Sequence, residues 1–354
     1  MIKYYPILKK GNSEIKALEE LSHQLPELVS VLLPVIEAPQ KSDLNKWEKD
    51  FNTFGKYLRR KIPNLNFSFQ YSTAFSNIDN SEVISWQSSE KQNIIEYIHS
   101  KLKESCPSYI PCFNYDDADW ILKSIPSKDF DTCIVRIEPY KFETGLDNVI
   151  IPGIISRFKK IFPKKNILWM LDFYKNFSDL ERVAYLLNLL ESPTGKNIIF
   201  AATSCPEDAN LIEHSSFRIA STRNDIFSFK SLQSEFSDLS FSDYTIRLKP
   251  VPSKEQRNQI NLDNTYIKIF YTTENNYMIA KSGLIKKQKE ESSHITSQEM
   301  CKLIINSKNY LGENFSWGDK KINDCANNLL DIHDHQVPIQ IGINHHIILT
   351  LNQL

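Results

Sequence analysis

The fold class predicted is α/β: a (β/α)8 TIM-barrel-like domain with a C-terminal α+β extension. Three observations predict it. A short apolar run ending in a polar residue, followed by an amphipathic helical segment, recurs from the N-terminus to about residue 250. Eight such runs fit in that span, the size of a (β/α)8 barrel. Beyond it the alternation stops and a period-two hairpin pattern begins. Apolar strands separated by helices imply a parallel sheet covered by helices. An open doubly wound parallel sheet is the rival arrangement.

The elements follow in order. Tyr4-Tyr5-Pro6-Ile7-Leu8-Lys9 is the first strand, and Asn12 or Ser13 caps a helix carrying Ile15, Leu18 and Leu21. Residues 29–37 form the second strand, and Ser42 or Asp43 opens a helix with Leu44, Trp47, Phe51, Phe54 and Leu58 on one face. Strands at 67–71, 109–114, 132–138, 166–172 and 197–202 alternate with helices near 89–104, 117–125, 147–162 and 178–190. Residues 243–248 complete the eight, and the stretch between Asp208 and Phe236 is less periodic. The barrel is thus assigned to 1–250 and the extension to 251–354. Pro250-Val251-Pro252 and the polar run after it read as a linker, and Lys286–Glu291 as a charged loop. Between them, Thr265–Tyr271 and Tyr277–Ala280 form a hairpin turning at Glu274-Asn275-Asn276. Helices near 297–308 and 319–330 precede a final strand over 340–349.

Composition excludes several classes. The 354 residues carry 42 Lys+Arg against 43 Asp+Glu, a formal charge of -1, so no global positive field points to nucleic acid. Nine glycines and the absence of GxGxxG and GxxxxGK[ST] argue against phosphate loops. No apolar run approaches membrane-spanning length, and the first residues lack a signal-peptide pattern. Six scattered cysteines without a CxxC pair predict buried thiols in a reducing cytoplasm.

Several stretches together resemble the beta protein family of phages, satellite phages and bacterial genomic islands. They are Tyr5-Pro6-Ile7-Leu8-Lys9 with Glu14 and Ala17-Leu18, Leu33-Pro34-Val35-Ile36-Glu37, Asp243-Tyr244, Phe315-Ser316-Trp317-Gly318-Asp319 and Asn344-His345-His346-Ile347. The resemblance implies a locus concerned with phage exclusion, killing and immunity to killing. It carries no catalytic mechanism and no catalytic residue.

Strand ends supply the candidate chemistry. Alternation puts Lys9, Glu37, Arg136, Glu138 and Asp172 on core-facing positions near the C-terminal mouth, if all point inward. Glu37, Glu138 and Asp172 could hold Mg²⁺ or Mn²⁺ or act as general acid and base; Lys9 and Arg136 could bind phosphate or carboxylate. The plainer reading is an ion-pair network closing the barrel. In the tail, His345 and His346 on opposite strand faces, one packed and one solvated, are read as structural, while His333 and His335 could chelate a metal in an extended segment. Trp317 and Asp319 mark a loop-to-helix junction, with Asp319 as N-cap. Tyr266, Phe270, Tyr271 and Tyr277, with Lys268 and Lys281, could stack single-stranded nucleic acid, although hairpin aromatics are more often packing.

These readings give three expectations. The first is a non-enzymatic binding or regulatory protein of a phage-defence locus, meeting a protein partner encoded in that locus or a ligand at the barrel mouth, with no membrane partner and no cofactor. The second is a metal-dependent phosphoester or nucleotide hydrolase with Arg136 on phosphate. It requires the three carboxylates within about 6 Å of one another and not each plugged by a cation. The third is a single-stranded nucleic-acid binder.

Overall fold

A computed structural model of the chain describes residues 2–40, 43–75, 78–194, 197–249, 265–285 and 295–354. Two compact units interleave in sequence. The first takes Met1–Lys10, Val29–Thr203 and Asp225–Asp243; the second takes Gly11–Leu28, Ser204–Asn224 and Tyr244–Leu354. The division therefore does not fall at residue 250. The linker after Pro250 and the loop at 286–291 lie outside the described residues.

The first unit is an eight-stranded parallel sheet. Its strands are β1 (Ile7–Lys9), β2 (Val35–Glu37), β3 (Ser68–Gln70), β4 (Ile110–Asn114), β5 (Thr132–Ile137), β6 (Asn166–Asp172), β7 (Ile198–Ala201) and β9 (Ser240–Ser242). Each pairs with the next, and β7 pairs with β9. The first and last strands then meet: Tyr5 N donates to Phe241 O at 2.9 Å and Ile7 N to Asp243 O at 2.7 Å. The Tyr4 hydroxyl ties the same seam by donating to Asp243 Oδ1 at 2.6 Å. The sheet is a TIM-like barrel rather than an open doubly wound sheet. Its outward residues pack on helices by aromatic contact. Trp169 of β6 meets Phe158 of α7 (Asp147–Ile161) at 6.3 Å, and Phe241 meets Phe229 of α9 (Asn224–Gln233) at 5.0 Å.

The last barrel strand ends earlier than the expected 243–248. Thr245 adopts φ 52, in the left-handed region, so an extended run cannot pass through it. The Asp208–Phe236 stretch, weakly periodic in sequence, contains β8 (Ser216–Thr222) and the whole of α9.

The second unit contains a three-stranded antiparallel sheet in the order β10 (Tyr266–Thr272), β11 (Asn276–Leu284), β8. The expected hairpin forms, with Thr273 N donating to Asn276 O at 2.8 Å across its turn. Ile267, Ile269, Tyr271 and Ala280 share a core with Met300, Cys301 and Ile304 of α10 (Ser297–Ile305) and Ile322 and Cys325 of α11 (Trp317–Ala326). The final strand expected at 340–349 is instead a helix, α12 (Gln336–Gln353). Every residue from Ile341 to Leu351 is buried, so the helix is enclosed on all sides and shows no 3.6-residue stripe. All six cysteines are buried and free.

Candidate functional site

Arg136 occupies the centre of the barrel mouth. It is 4% exposed. Its Nε and Nη2 donate to Asp172 Oδ2 at 2.8 and 2.6 Å, and its Nη1 donates to Glu37 Oε1 at 2.9 Å and Gln70 Oε1 at 2.8 Å. Lys9 Nζ donates to Glu37 Oε2. The register explains the convergence: Lys9 lies opposite Glu37, and Glu37 opposite Gln70, in adjacent parallel strands. The paired registers thus deliver these strand-end side chains to one layer. Burial would push the Glu37 carboxyl up, but the charges of Lys9 and Arg136 outweigh it and hold the group below its usual value.

Four of the five expected mouth residues meet in this way; Glu138 does not join them. It lies one residue past the end of β5 and accepts from the Tyr140 hydroxyl and Lys141 Nζ, both at 2.5 Å. Burial again acts against ionisation there, and Arg136, Lys141 and Tyr140 overcome it, so Glu138 is held below its ordinary range. Each candidate metal carboxylate is therefore engaged by a cation: Glu37 and Asp172 by Arg136, Glu138 by Lys141. Among the described residues, no group of three or more His, Cys, Asp and Glu is placed to hold a metal ion.

The sequence reading passed over the neutral strand ends. Gln70 closes β3 and Asn114 closes β4, and Gln70 Nε2 donates to Asn114 Oδ1 at 2.6 Å. Asn114 Nδ2 donates to Ser72 Oγ at 3.1 Å, and its backbone N donates to Asp117 Oδ2 at 2.8 Å. The signal was present, since both residues hold the same strand-terminal place as Glu37 and Asp172. Asp117 is buried, and burial pushes its carboxyl up to about 7 despite the Asn114 N–H.

The loops after β4, β5 and β6 add a half-buried aromatic rim that the sequence did not single out. Tyr115 and Phe142 meet edge to face at 5.1 Å, and Tyr140 and Tyr174 lie 6.3 Å apart. Tyr174 sits at φ 51, a strained conformation for an aromatic residue. Two bonds pin it there: its N–H donates to Asp172 Oδ1 at 2.9 Å, and its carbonyl accepts from Thr203 N at 2.8 Å.

The C-terminal candidates form a separate buried network in the second unit. Ser316, rather than Asp319, is the N-cap of α11, accepting from Asp319 N at 3.0 Å. Asp319 Oδ2 accepts from Ser316 Oγ at 2.5 Å and lies 2.7 Å from His345 Nδ1, while its Oδ1 accepts from Tyr271 OH at 2.8 Å. His345 Nε2 lies 2.6 Å from Thr272 O, and the ring stacks on Tyr271 at 4.1 Å. Gly318 N donates to Asn344 Oδ1 at 3.1 Å. His346 is also fully buried, 2.9 Å from Thr272 Oγ1 and stacked on Tyr277. The expectation of one packed and one solvated histidine on a strand is thus corrected: helical geometry buries both. Trp317 packs at the edge of the core, with Lys321 over its ring at 5.7 Å. His333 is largely exposed beside Asp331, and His335 is the N-cap of α12; among the described residues neither belongs to a metal cluster. Of the proposed stacking aromatics, Phe270, Tyr271 and Tyr277 are buried and Tyr266 alone is partly exposed.

The Beta protein family profile matches residues 4–351. The chain belongs to the Beta protein family. Two stretches that carried its resemblance to this family, Phe315–Asp319 and Asn344–Ile347, are the halves of the buried Asp319–His345 network. No curated protein matches this Beta protein. Among solved structures, the catalytic domain of a mannanase from Streptomyces sp. SirexAA-E is similar at a TM-score of 0.39 and 9% identity, over 71% of this chain and 77% of that one. No helix among the described residues is long and apolar enough to cross a membrane.

Proposed function

We propose that this Beta protein is a binding or regulatory protein of a phage-defence or phage-exclusion locus, acting on a protein encoded in the same locus through its barrel mouth. One observation carries the reading: a rim of Tyr115, Tyr140, Phe142 and Tyr174 stands around a floor whose charges are mutually engaged. Tyrosine at a rim offers large contact area at low entropic cost and is enriched in interfaces. The engaged floor supports binding over metal-assisted hydrolysis, because Arg136 stands between Glu37 and Asp172. The defence role rests on family context alone.

The test is co-purification of the tagged chain with each protein encoded beside it, paired with plaque counts under phage challenge. Wild type retains one neighbour, and the Tyr140→Ala/Tyr174→Ala double variant, checked for a native thermal melt, loses both that partner and the plaque phenotype. Unchanged capture and plaque counts in the folded double variant would overturn the reading. Asp117 favours a second, enzymatic reading, because a buried carboxyl titrating near neutrality beside Asn114 and Ser72 suits general acid–base work. Hydrolysis of phosphoester substrates abolished by Asp117→Asn but not by Glu138→Gln would favour it.

A further inference from the structure

The sheet of the second unit carries a cationic cluster on the face opposite its core. Lys268 of β10 and Lys281 of β11 are direct cross-strand partners, so their side chains rise together. Like charges in that relation repel, and native folds normally compensate them. Lys281 is 5% exposed; its Nζ donates to the carbonyls of Ala209 at 3.2 Å and Ile212 at 2.8 Å and lies 4.4 Å over the Tyr266 ring. Lys268 is half-buried, 5.6 Å from the Phe270 centroid and 6.0 Å from that of Tyr266. No ion pair forms at its ammonium among the described residues.

The nearby carboxylates are committed elsewhere. Asp208 pairs with Lys249 at 2.8 Å and accepts from Asn210 N. Asp334 accepts from the backbone N–H groups of Gln336 and Val337 at 2.8 and 3.1 Å, closing the N-terminus of α12. Burial first, then the charges of Lys249 and Lys281, depress the Lys268 ammonium, with Asp208 acting the other way. His335 is lowered in turn by its own burial and by Lys268.

We propose that Lys268, with Lys281 and the partly exposed ring of Tyr266, binds a phosphate-bearing anion. Phosphate oxygens would accept from the Lys268 ammonium and relieve the cross-strand repulsion, and a base attached to that phosphate would lie beside the partly exposed Tyr266. Two sources share this chemistry, inorganic (pyro)phosphate and a nucleotide, and the test separates them.

The experiment is isothermal titration of the full chain with sodium pyrophosphate and with metal-free ATP at low salt. Binding of both with equal affinity assigns the site to the inorganic group, and tighter ATP binding assigns it to a nucleotide. Lys268→Gln weakens either by about tenfold or more, while Lys268→Arg retains it. A second readout needs no variant: pyrophosphate or ATP protects Lys268 from acetylation by acetic anhydride, read by mass spectrometry. Absence of wild-type binding at about 1 mM ligand, equal binding by folded Lys268→Gln, or unprotected Lys268 overturns the proposal.

Discussion

Replacing Arg136 by Met keeps the aliphatic stem and removes the guanidinium that joins Glu37, Gln70 and Asp172. The two carboxylates are not affected equally. Glu37 keeps Lys9, whereas fully buried Asp172 keeps the Tyr174 N–H but loses its ion pair with Arg136. Removing one partner from a buried ion pair costs about 3–5 kcal/mol. With Glu37 still compensated, the expected loss is about 4 kcal/mol, a large share of the roughly 5–15 kcal/mol typical of folded domains. Urea unfolding followed by fluorescence of buried Trp169 should show a midpoint lower by on the order of 1 M. Adding Asp172→Asn removes that buried negative charge and should return about 1–2 kcal/mol. The pH dependence has a definite sign. Glu37 is held below its usual value of 4.5 in the fold, so its stabilisation is present above that value and lost as pH falls through the folded value. The gap between wild type and Arg136→Met should therefore narrow in acid. A cost below about 1 kcal/mol, or a double variant no more stable than the single, would refute the account of Arg136 as the centre of the mouth.

Two further outcomes follow from packing and burial. A Cβ on Gly318 would stand 2.5 Å from the Ile341 carbonyl oxygen of α12, so Gly318→Ala must separate two helices and should cost about 1–3 kcal/mol in urea unfolding; a neutral result would show that α11 and α12 pack less closely. His99 is buried, and burial lowers its proton affinity more than its bond to Asp129 raises it. Its depressed folded value means the stability it contributes is present above the usual 6.5 and lost as pH falls below that. His99→Gln should flatten this slope between about pH 7.5 and pH 5, and an unchanged slope would assign the acid sensitivity to other groups.

The barrel was legible because each of its early strands is an apolar run closed by a polar residue, and the register carries those ends into one layer. Lys9, Glu37, Arg136 and Asp172 were therefore found from alternation alone. Gln70 and Asn114 occupy the same places and were missed because they bear no charge, although their side-chain amides connect Arg136 to Ser72 and the Asn114 backbone N–H adds Asp117. Glu138 was misplaced for a different reason. Alternation projects a side chain only while the strand lasts, and β5 ends at Ile137. The rim tyrosines lie in loops, where no period operates.

The tail shows where periodicity inverts its meaning. Ile339, Ile341 and Ile343 recur every second residue, which reads as a half-buried strand. The same residues lie on a helix because α12 is enclosed on every side, so its apolar positions need not follow a stripe. The start signals were present: Asp334 caps the first backbone N–H groups, and Pro338 sits in the first turn, where its missing N–H costs nothing. The consequence for the motifs is direct. On a strand, His345 and His346 would face opposite ways and share no environment. On a helix, Asn344, His345 and His346 fan across about 200° of arc. That spread lets Asn344 receive Gly318, His345 reach Asp319, and His346 reach Thr272 at once. A motif read as one packed and one solvated histidine is instead the point at which α12 is bonded to α11 and to β10.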